Sequence, residues 1–232
     1  MNKLYSGEIK NNIINIRPYQ ILKIEERFDE EINFFMPQAQ GAGSLHTLES
    51  IMLLKLMRIV DADYIFEFGT YKGLTTRFFL ANLPDKDKLE DERIYTLDLP
   101  NIQDITFQGT DMELAKEAVN YKRKYLNHPK KHLVKQLLQD SMTLDADLYL
   151  NKFPFIFIDA NHEVTYVRRD TENAFKMLAN APSCIAWHDY GNPEFPELTA
   201  YIEDLSREIK IYHIENTMIA FYLIGIDVPS RD

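Results

Sequence analysis

Residues 63–76 read DYIFEFGTYKGLTT: a short apolar segment that breaks at one glycine and resumes after a second. Residues 64–68 have the aromatic and β-branched character of a buried strand, and beyond Gly73 the positions Leu74, Phe78 and Leu83 take up helical spacing. Strand, glycine turn and helix, in that order, bring backbone N–H groups and a helix N-terminus to the carboxyl end of a strand. In a parallel sheet that is where nucleotide-like ligands bind. No other stretch limits the architecture as tightly.

The spacing narrows the ligand. A dinucleotide turn needs G-x-G-x-x-G and a phosphate loop ends in G-K-[ST], whereas this turn is G-x-x-x-G with Glu67 two residues before the first glycine. No triphosphate site is visible. The run E-F-G-T-Y-K-G resembles the first motif of class I S-adenosylmethionine-dependent methyltransferases. Its wider form, E-x-G-T-x-x-G-x-[ST], resembles the branch that includes catechol-type O-methyltransferases. The resemblance implies a cofactor site for S-adenosylmethionine containing Glu67, Gly69, Thr70 and Gly73.

The 232 residues suffice for one good core, so the expectation is a single α/β domain over residues 44–232 with an N-terminal extension over 1–43. A formal net charge of −10 argues against nucleic acid as a partner. Cys184 is the one cysteine; it lies in the apolar run SCIAW, which points to an inert buried thiol and a reducing compartment. The start MNKLYSGEIK has no apolar core of a signal peptide, and the most hydrophobic stretch, IMLLKLMRIV, is interrupted by Lys55 and Arg58. A soluble, cytoplasmic protein without a membrane partner is expected.

Residues 1–43 show no clean period and include the acidic stretch 25–31; QAQGAGS at 38–44 reads as a flexible joint. The segment is a lid, a dimer arm of a homo-oligomer, or packing on the domain. Ser44 is the expected N-cap of a helix burying Leu45, Leu48, Met52, Leu56 and Val60. After the glycine turn and its helix, residues 84–93 form a charged loop. Residues 93–97 are the second strand, ending in Asp98, an acid placed to accept from a ribose diol. A helix is expected from 111 to about 125, its basic tail NYKRKYLNHPKKHLVK read as a solvated helix end, and then a third strand over 132–138. In the methyltransferase family the residues after that strand lie beside adenine, which implies a cofactor contact for Asp140 or Ser141.

The fourth strand, FPFIFI at 153–158, ends in Asp159, and the pattern D-x-x-H-x-x-x-Y-x-x-x-D runs from Asp159 through His162 and Tyr166 to Asp170. It resembles the F-I-D-x-x-H-x-Y signature of methyltransferases of the macrocin and cephalosporin-pathway type, with the tyrosine one residue displaced. The fifth strand, 183–187, delivers His188 and Asp189 to the same sheet edge. Carboxylates converging there repel each other unless a cation or proton lies between them. Asp159 and Asp189 therefore suggest a hard divalent metal such as Mg²⁺, with Asn192, His188 or His162 completing the shell. Catechol-type enzymes use an Asp, Asp, Asn set from these places. The alternative is a metal-free site in which His162 or His188 is the general base. Tyr71, Trp187, Tyr190 and Phe195 suggest a partly aromatic pocket, and N-P-E-F at Asn192 is similar to an amino-methyltransferase motif but follows a different strand.

A helix from Pro196 and a hairpin from IKIYHIE and MIAFYLIGI complete the chain. The resemblance, over about residues 44–226, implies a doubly wound, seven-stranded, mostly parallel sheet in the order 3-2-1-4-5-7-6, with helices on both faces. The expected activity is O-methylation of a small-molecule hydroxyl, with Asp159, His162 and His188 as catalytic candidates. Two alternatives stand beside it: a metal-dependent enzyme of the cephalosporin-hydroxylase type, and a binding protein that keeps the fold without catalysis.

Overall fold

The central strands are apolar on both sides of the pleat, so each needs cover on both faces. The computed structural model describes residues 12–24, 30–35, 43–83, 91–103, 105, 107 and 109–231. Among them are the strands β1 (Ile14–Ile16), β2 (Ile65–Phe68), β3 (Ile94–Asp98), β4 (Val134–Leu138), β5 (Phe155–Ile158), β6 (Ser183–Trp187), β7 (Ile211–Ile214) and β8 (Ala220–Ile224). The helices are α1 (Pro18–Leu22), α2 (Thr47–Ile59), α3 (Leu74–Asn82), α4 (Gly109–Asn120), α5 (Val164–Met177) and α6 (Pro196–Leu205). Ile65, Phe155 and Phe157 pack with Leu53 of α2 and Phe79 of α3. Phe66, Phe68, Ile156 and Ile158 pack on the other face with Val167 of α5 and Ile202 of α6.

The sheet runs β4-β3-β2-β5-β6-β8-β7-β1, parallel except where β8 pairs with its neighbours. Strands β2 to β8 take the expected order, and the N-terminal segment adds an eighth strand, with Ile14 opposite Tyr212 in parallel register. That strand is only three residues long, too short for a sequence period to show. Ile16, Ile21 and Ile24 enter the same core as α2. Most of the acidic run at 25–31, the joint at 38–44 and the charged loop at 84–93 lies outside the described residues.

Local expectations shift in three places. α2 starts after His46 and not after Ser44, because Glu49 accepts the His46 N–H at 2.8 Å from within the first turn. The third strand begins at Val134, after a short 3₁₀ turn at Lys131–Leu133. α4 ends at Asn120, and its tail is not a solvated helix end. Arg123 and Tyr125 are buried, and the chain leaves the helix to turn them inward. Cys184 is buried as expected, and burial pushes its thiol pKa up.

Gly69 has φ +91°, and a Cβ built there would lie 1.9 Å from the carbonyl oxygen of Asp159. Gly191 also has positive φ, +81°, but nothing lies within 4 Å of its Cβ position. Gly191→Ala is expected to cost about 1 kcal/mol from backbone strain alone. Gly69→Ala should cost more than about 3 kcal/mol or prevent folding, since backbone has to move. Chemical denaturation of both variants checks the difference; equal costs would contradict the close approach.

Candidate active site

The glycine turn is anchored from beneath by hydroxyls. Glu67 is fully buried, and its Oε2 accepts from Thr76 Oγ1 at 2.5 Å and Thr96 Oγ1 at 2.6 Å, while Thr96 and Thr70 share a hydrogen bond of 2.7 Å. Burial dominates and lifts the Glu67 carboxyl to about 8 against the pull of the two hydroxyls. Its Oε1 has no partner among the described residues, consistent with a proton there. Glu67 thus braces the turn from below and does not line the cavity. Gly73 does not line it either: it makes room for Tyr125, whose ring carbon lies 2.8 Å from the position of an added Cβ.

Asp98, at the tip of β3, is held on three sides. Its Oδ2 accepts from the Tyr71 amide and the Arg123 guanidinium, both at 2.9 Å, and its Oδ1 accepts from the Leu99 amide at 2.9 Å. Burial raises its pKa and outweighs Arg123 and the two amides. Asp140 caps the turn after β4 through the Met142 amide at 2.9 Å and stands 3.4 Å from the Tyr166 hydroxyl, with Phe107 edge-on to the Tyr166 ring.

At the tips of β5 and β6 an acid–imidazole network forms. His188 Nδ1 lies 2.9 Å from Asp189 Oδ2 and 3.3 Å from Asp159 Oδ1, and its Nε2 is 3.4 Å from Glu49 Oε2. His162 Nε2 lies 2.9 Å from the same Asp189 oxygen, and its Nδ1 lies 2.5 Å from Asp111 of α4. Phe195 stacks flat on the His162 ring, with centroids 3.8 Å apart. Asn192 donates to Asp189 Oδ1 at 2.6 Å. Asp189, two residues past the end of β6, has φ +61°, in the left-handed region.

The charges follow from this packing. Burial opposes protonation of His162, but Asp111 and Asp189 outweigh it and lift the ring to about 9. Burial opposes His188 likewise, and Asp159, Asp189 and Glu49 hold it well above its ordinary value. Burial would raise the Asp189 and Glu49 carboxyls. The two imidazoles hold Asp189 well below the usual range, and His188 with the Met218 and His46 amides holds Glu49 at about 2.

A cavity of about 470 Å³ opens over these strand tips. Gly69, Thr70, Asp98, Asp140, Ser141, Asp159, His162, His188, Asp189 and Asn192 all line it, so ten of the residues singled out in the sequence meet in one place. Tyr71 and Phe195 line it too. Trp187 does not: it is 1% exposed in the core, its indole donating to Thr171, and Tyr190 packs edge-on to His213. Sequence reading missed Glu49, Asp111 and Arg123. Each sits on or after a helix with no motif around it, and only tertiary packing brings it to the strand tips.

This strand order, with a glycine turn at the centre of the sheet and acids at the tips of the following strands, defines a Rossmann-like methyltransferase fold. Residues 66–190 match the family model described as a methyltransferase domain, and the chain belongs to that family, within the class I S-adenosylmethionine-dependent methyltransferases. No curated protein matches the chain. Among solved structures, the calicheamicin methyltransferase CalS11 aligns at 16% identity over 78% of this chain and 82% of its own, with TM-score 0.55. The S-adenosylhomocysteine-bound Podospora anserina methyltransferase PaMTH1 aligns at 16% over 80% and 81%, with TM-score 0.53. The Streptomyces achromogenes O-methyltransferase TomG, solved with S-adenosylmethionine, aligns at 14% over 78% and 82%, with TM-score 0.50. These likenesses bear on the fold.

Glu67 yields a pH-dependent prediction. Its carboxyl titrates at about 8 in the folded protein and near 4.5 when unfolded. Its contribution to stability is therefore fully present below pH 4.5 and lost as pH rises toward 8. Glu67→Gln removes that loss. The variant's denaturation midpoint, relative to wild type, should rise steadily between pH 5 and 8, and a pH-independent difference would contradict the burial of an acid at this position.

Proposed function

We propose that the protein transfers the methyl group of S-adenosylmethionine to a hydroxyl of a small molecule, assisted by a divalent cation held by Asp159, His188 and Asp189. The observation that carries the cation reading is the donor spacing. His188 Nδ1 is 3.3 Å from Asp159 Oδ1 and 2.9 Å from Asp189 Oδ2. Two adjacent ligands with bonds of ~2.1 Å to one octahedral ion stand about 3.0 Å apart. The mixed carboxylate and imidazole set suits Mn²⁺ as well as Mg²⁺. Asn192 supports Asp189 in this arrangement, as its amide donates to the second carboxylate oxygen.

The cofactor, when bound, supplies an electrophilic methyl group, and the cation, when bound, supplies Lewis-acid polarisation of an acceptor oxygen. The remaining work falls to side chains of this chain. Gly69, Thr70 and Asp98 line the cavity at the tips of β2 and β3, where the cofactor is read to bind, and Asp140 and Ser141 line it beyond β4. Transfer is in line, so much of the rate comes from holding the acceptor behind the methyl group. His162 takes the acceptor's proton at Nε2. Asp111 secures Nδ1, and Phe195 keeps the ring plane from turning. The carboxylate charge that raises the His162 pKa would be offset by a cation held beside Asp189, which would also draw Asp189 away from Nε2.

A metal-free variant of the same chemistry is favoured by one observation: the His188 ring is close enough to Asp159 and Asp189 to act as their counter-ion. Chelator separates the two readings, since it abolishes turnover in the first and leaves it intact in the second.

Calorimetric titration with S-adenosylmethionine and S-adenosylhomocysteine should give micromolar binding of both, and no binding of either would sink the proposal. In transfer assays with labelled cofactor against sugar and phenolic hydroxyls, Asp159→Asn should lose at least about 100-fold in turnover while keeping cofactor affinity. Asp111→Asn should lower kcat by about 10²- to 10⁴-fold, again with cofactor affinity unchanged. Full activity of Asp111→Asn would remove His162 from the role of base.

A further inference from the structure

We infer that Glu49 is a positioning residue for the cation site: it accepts the Nε2–H of His188 and so presents Nδ1 of that ring to the metal. The inference rests on the cation reading above. Glu49 lies on the first turn of α2, more than a hundred residues before the strand tips it serves, and is 1% exposed. Its Oε2 stands 3.4 Å from His188 Nε2, on the side of the ring opposite Asp159 and Asp189. The His188 ring is buried, and its Nε2 has no well-aligned hydrogen-bond partner among the described residues, which leaves Glu49 as the acceptor within reach.

The carboxylate is held independently of the ring. Oε2 accepts from the His46 amide and Oε1 from the Met218 amide, each at 2.8 Å, one from the start of α2 and one from the turn before β8. A neutral histidine with its proton on Nε2 has its lone pair on Nδ1, the nitrogen that faces both aspartates. Donation of the far N–H to a carboxylate selects that tautomer, orients the ring and raises its basicity as a ligand. Glu49 meets these requirements without touching the ion or the reacting atoms.

The test is Mn²⁺ affinity of the full chain, read by electron paramagnetic resonance in wild type, Glu49→Gln, His188→Gln and the double variant. Glu49→Gln should weaken Mn²⁺ by about 10- to 100-fold with S-adenosylhomocysteine affinity unchanged. In the His188→Gln background the same substitution should have no further effect. Unchanged Mn²⁺ affinity in Glu49→Gln, or equal weakening in both backgrounds, would overturn the inference. Wild type that binds cofactor but no Mn²⁺ would overturn the cation reading and this inference together, leaving methyl transfer standing. Should Glu49→Gln not fold, nitrogen-15 spectra of histidine-labelled wild type with Mg²⁺ decide: a slowly exchanging Nε2–H on His188 supports the pairing, and its absence overturns it.

Discussion

Only a hydrogen fits between the turn after β2 and the backbone of Asp159. Gly69 lies against that carbonyl, its own N–H donates to Leu97 at 2.9 Å, and the Asp159 N–H donates to Phe68 at 3.0 Å. The turn is therefore fastened to β3 on one side and to β5 on the other. The same backbone atoms set both the wall of the cavity at Gly69 and the position of Asp159. Thr70, Thr76 and Thr96 complete the bracing from below through Glu67. Little in this region can move without moving everything the cavity uses.

Acids gathered at neighbouring strand tips repel, and the fold sets basic side chains among most of them. Asp98 has Arg123, brought in by the chain as it leaves α4. Asp159 and Asp189 have His188, and Asp189 and Asp111 have His162. The arrangement explains how so acidic a cavity forms within a stable sheet: in the low-dielectric edge of the core, charge-assisted hydrogen bonds offset the desolvation of both partners. The two imidazoles also differ in their surroundings. The His188 ring is enclosed among three acids, whereas His162 lies against Phe195 at the cavity wall.

The glycine turn and the strand-tip residues were legible because they depend on short-range pattern, whereas the sheet order was implied by the family resemblance that the turn carries. A buried parallel strand is a continuous apolar run, and the residue after it stands at the carboxyl edge whatever the rest of the chain does. Asp98, Asp159, His188 and Asp189, each at a strand end or within two residues of one, line one cavity. Glu49 and Asp111 were not legible, since an acid in the first turn of a helix is what the helix dipole favours anyway and carries no mark of a second task. Arg123 hid in a basic run that reads as solvated surface. Glu67 was assigned to the ligand on the strength of its motif; its burial under three threonines depends on β3 and α3, which no local spacing encodes. Trp187 and Tyr190 flank His188 and Asp189 but are buried and do not line the cavity.

The eighth strand has a bearing on how the protein is made. Asn15 of β1 and His213 of β7, which share a hydrogen bond, are 198 residues apart in the chain. Strand β1 is thus synthesised well before the strand it pairs with. At usual rates of synthesis it waits on the order of ten to forty seconds for its partner. During that interval β7 does not yet exist, and Ile16 and the residues of α1 have no sheet edge to join. Docking of this edge strand therefore waits on the synthesis of β7, long after the glycine turn and its neighbouring strands have been made.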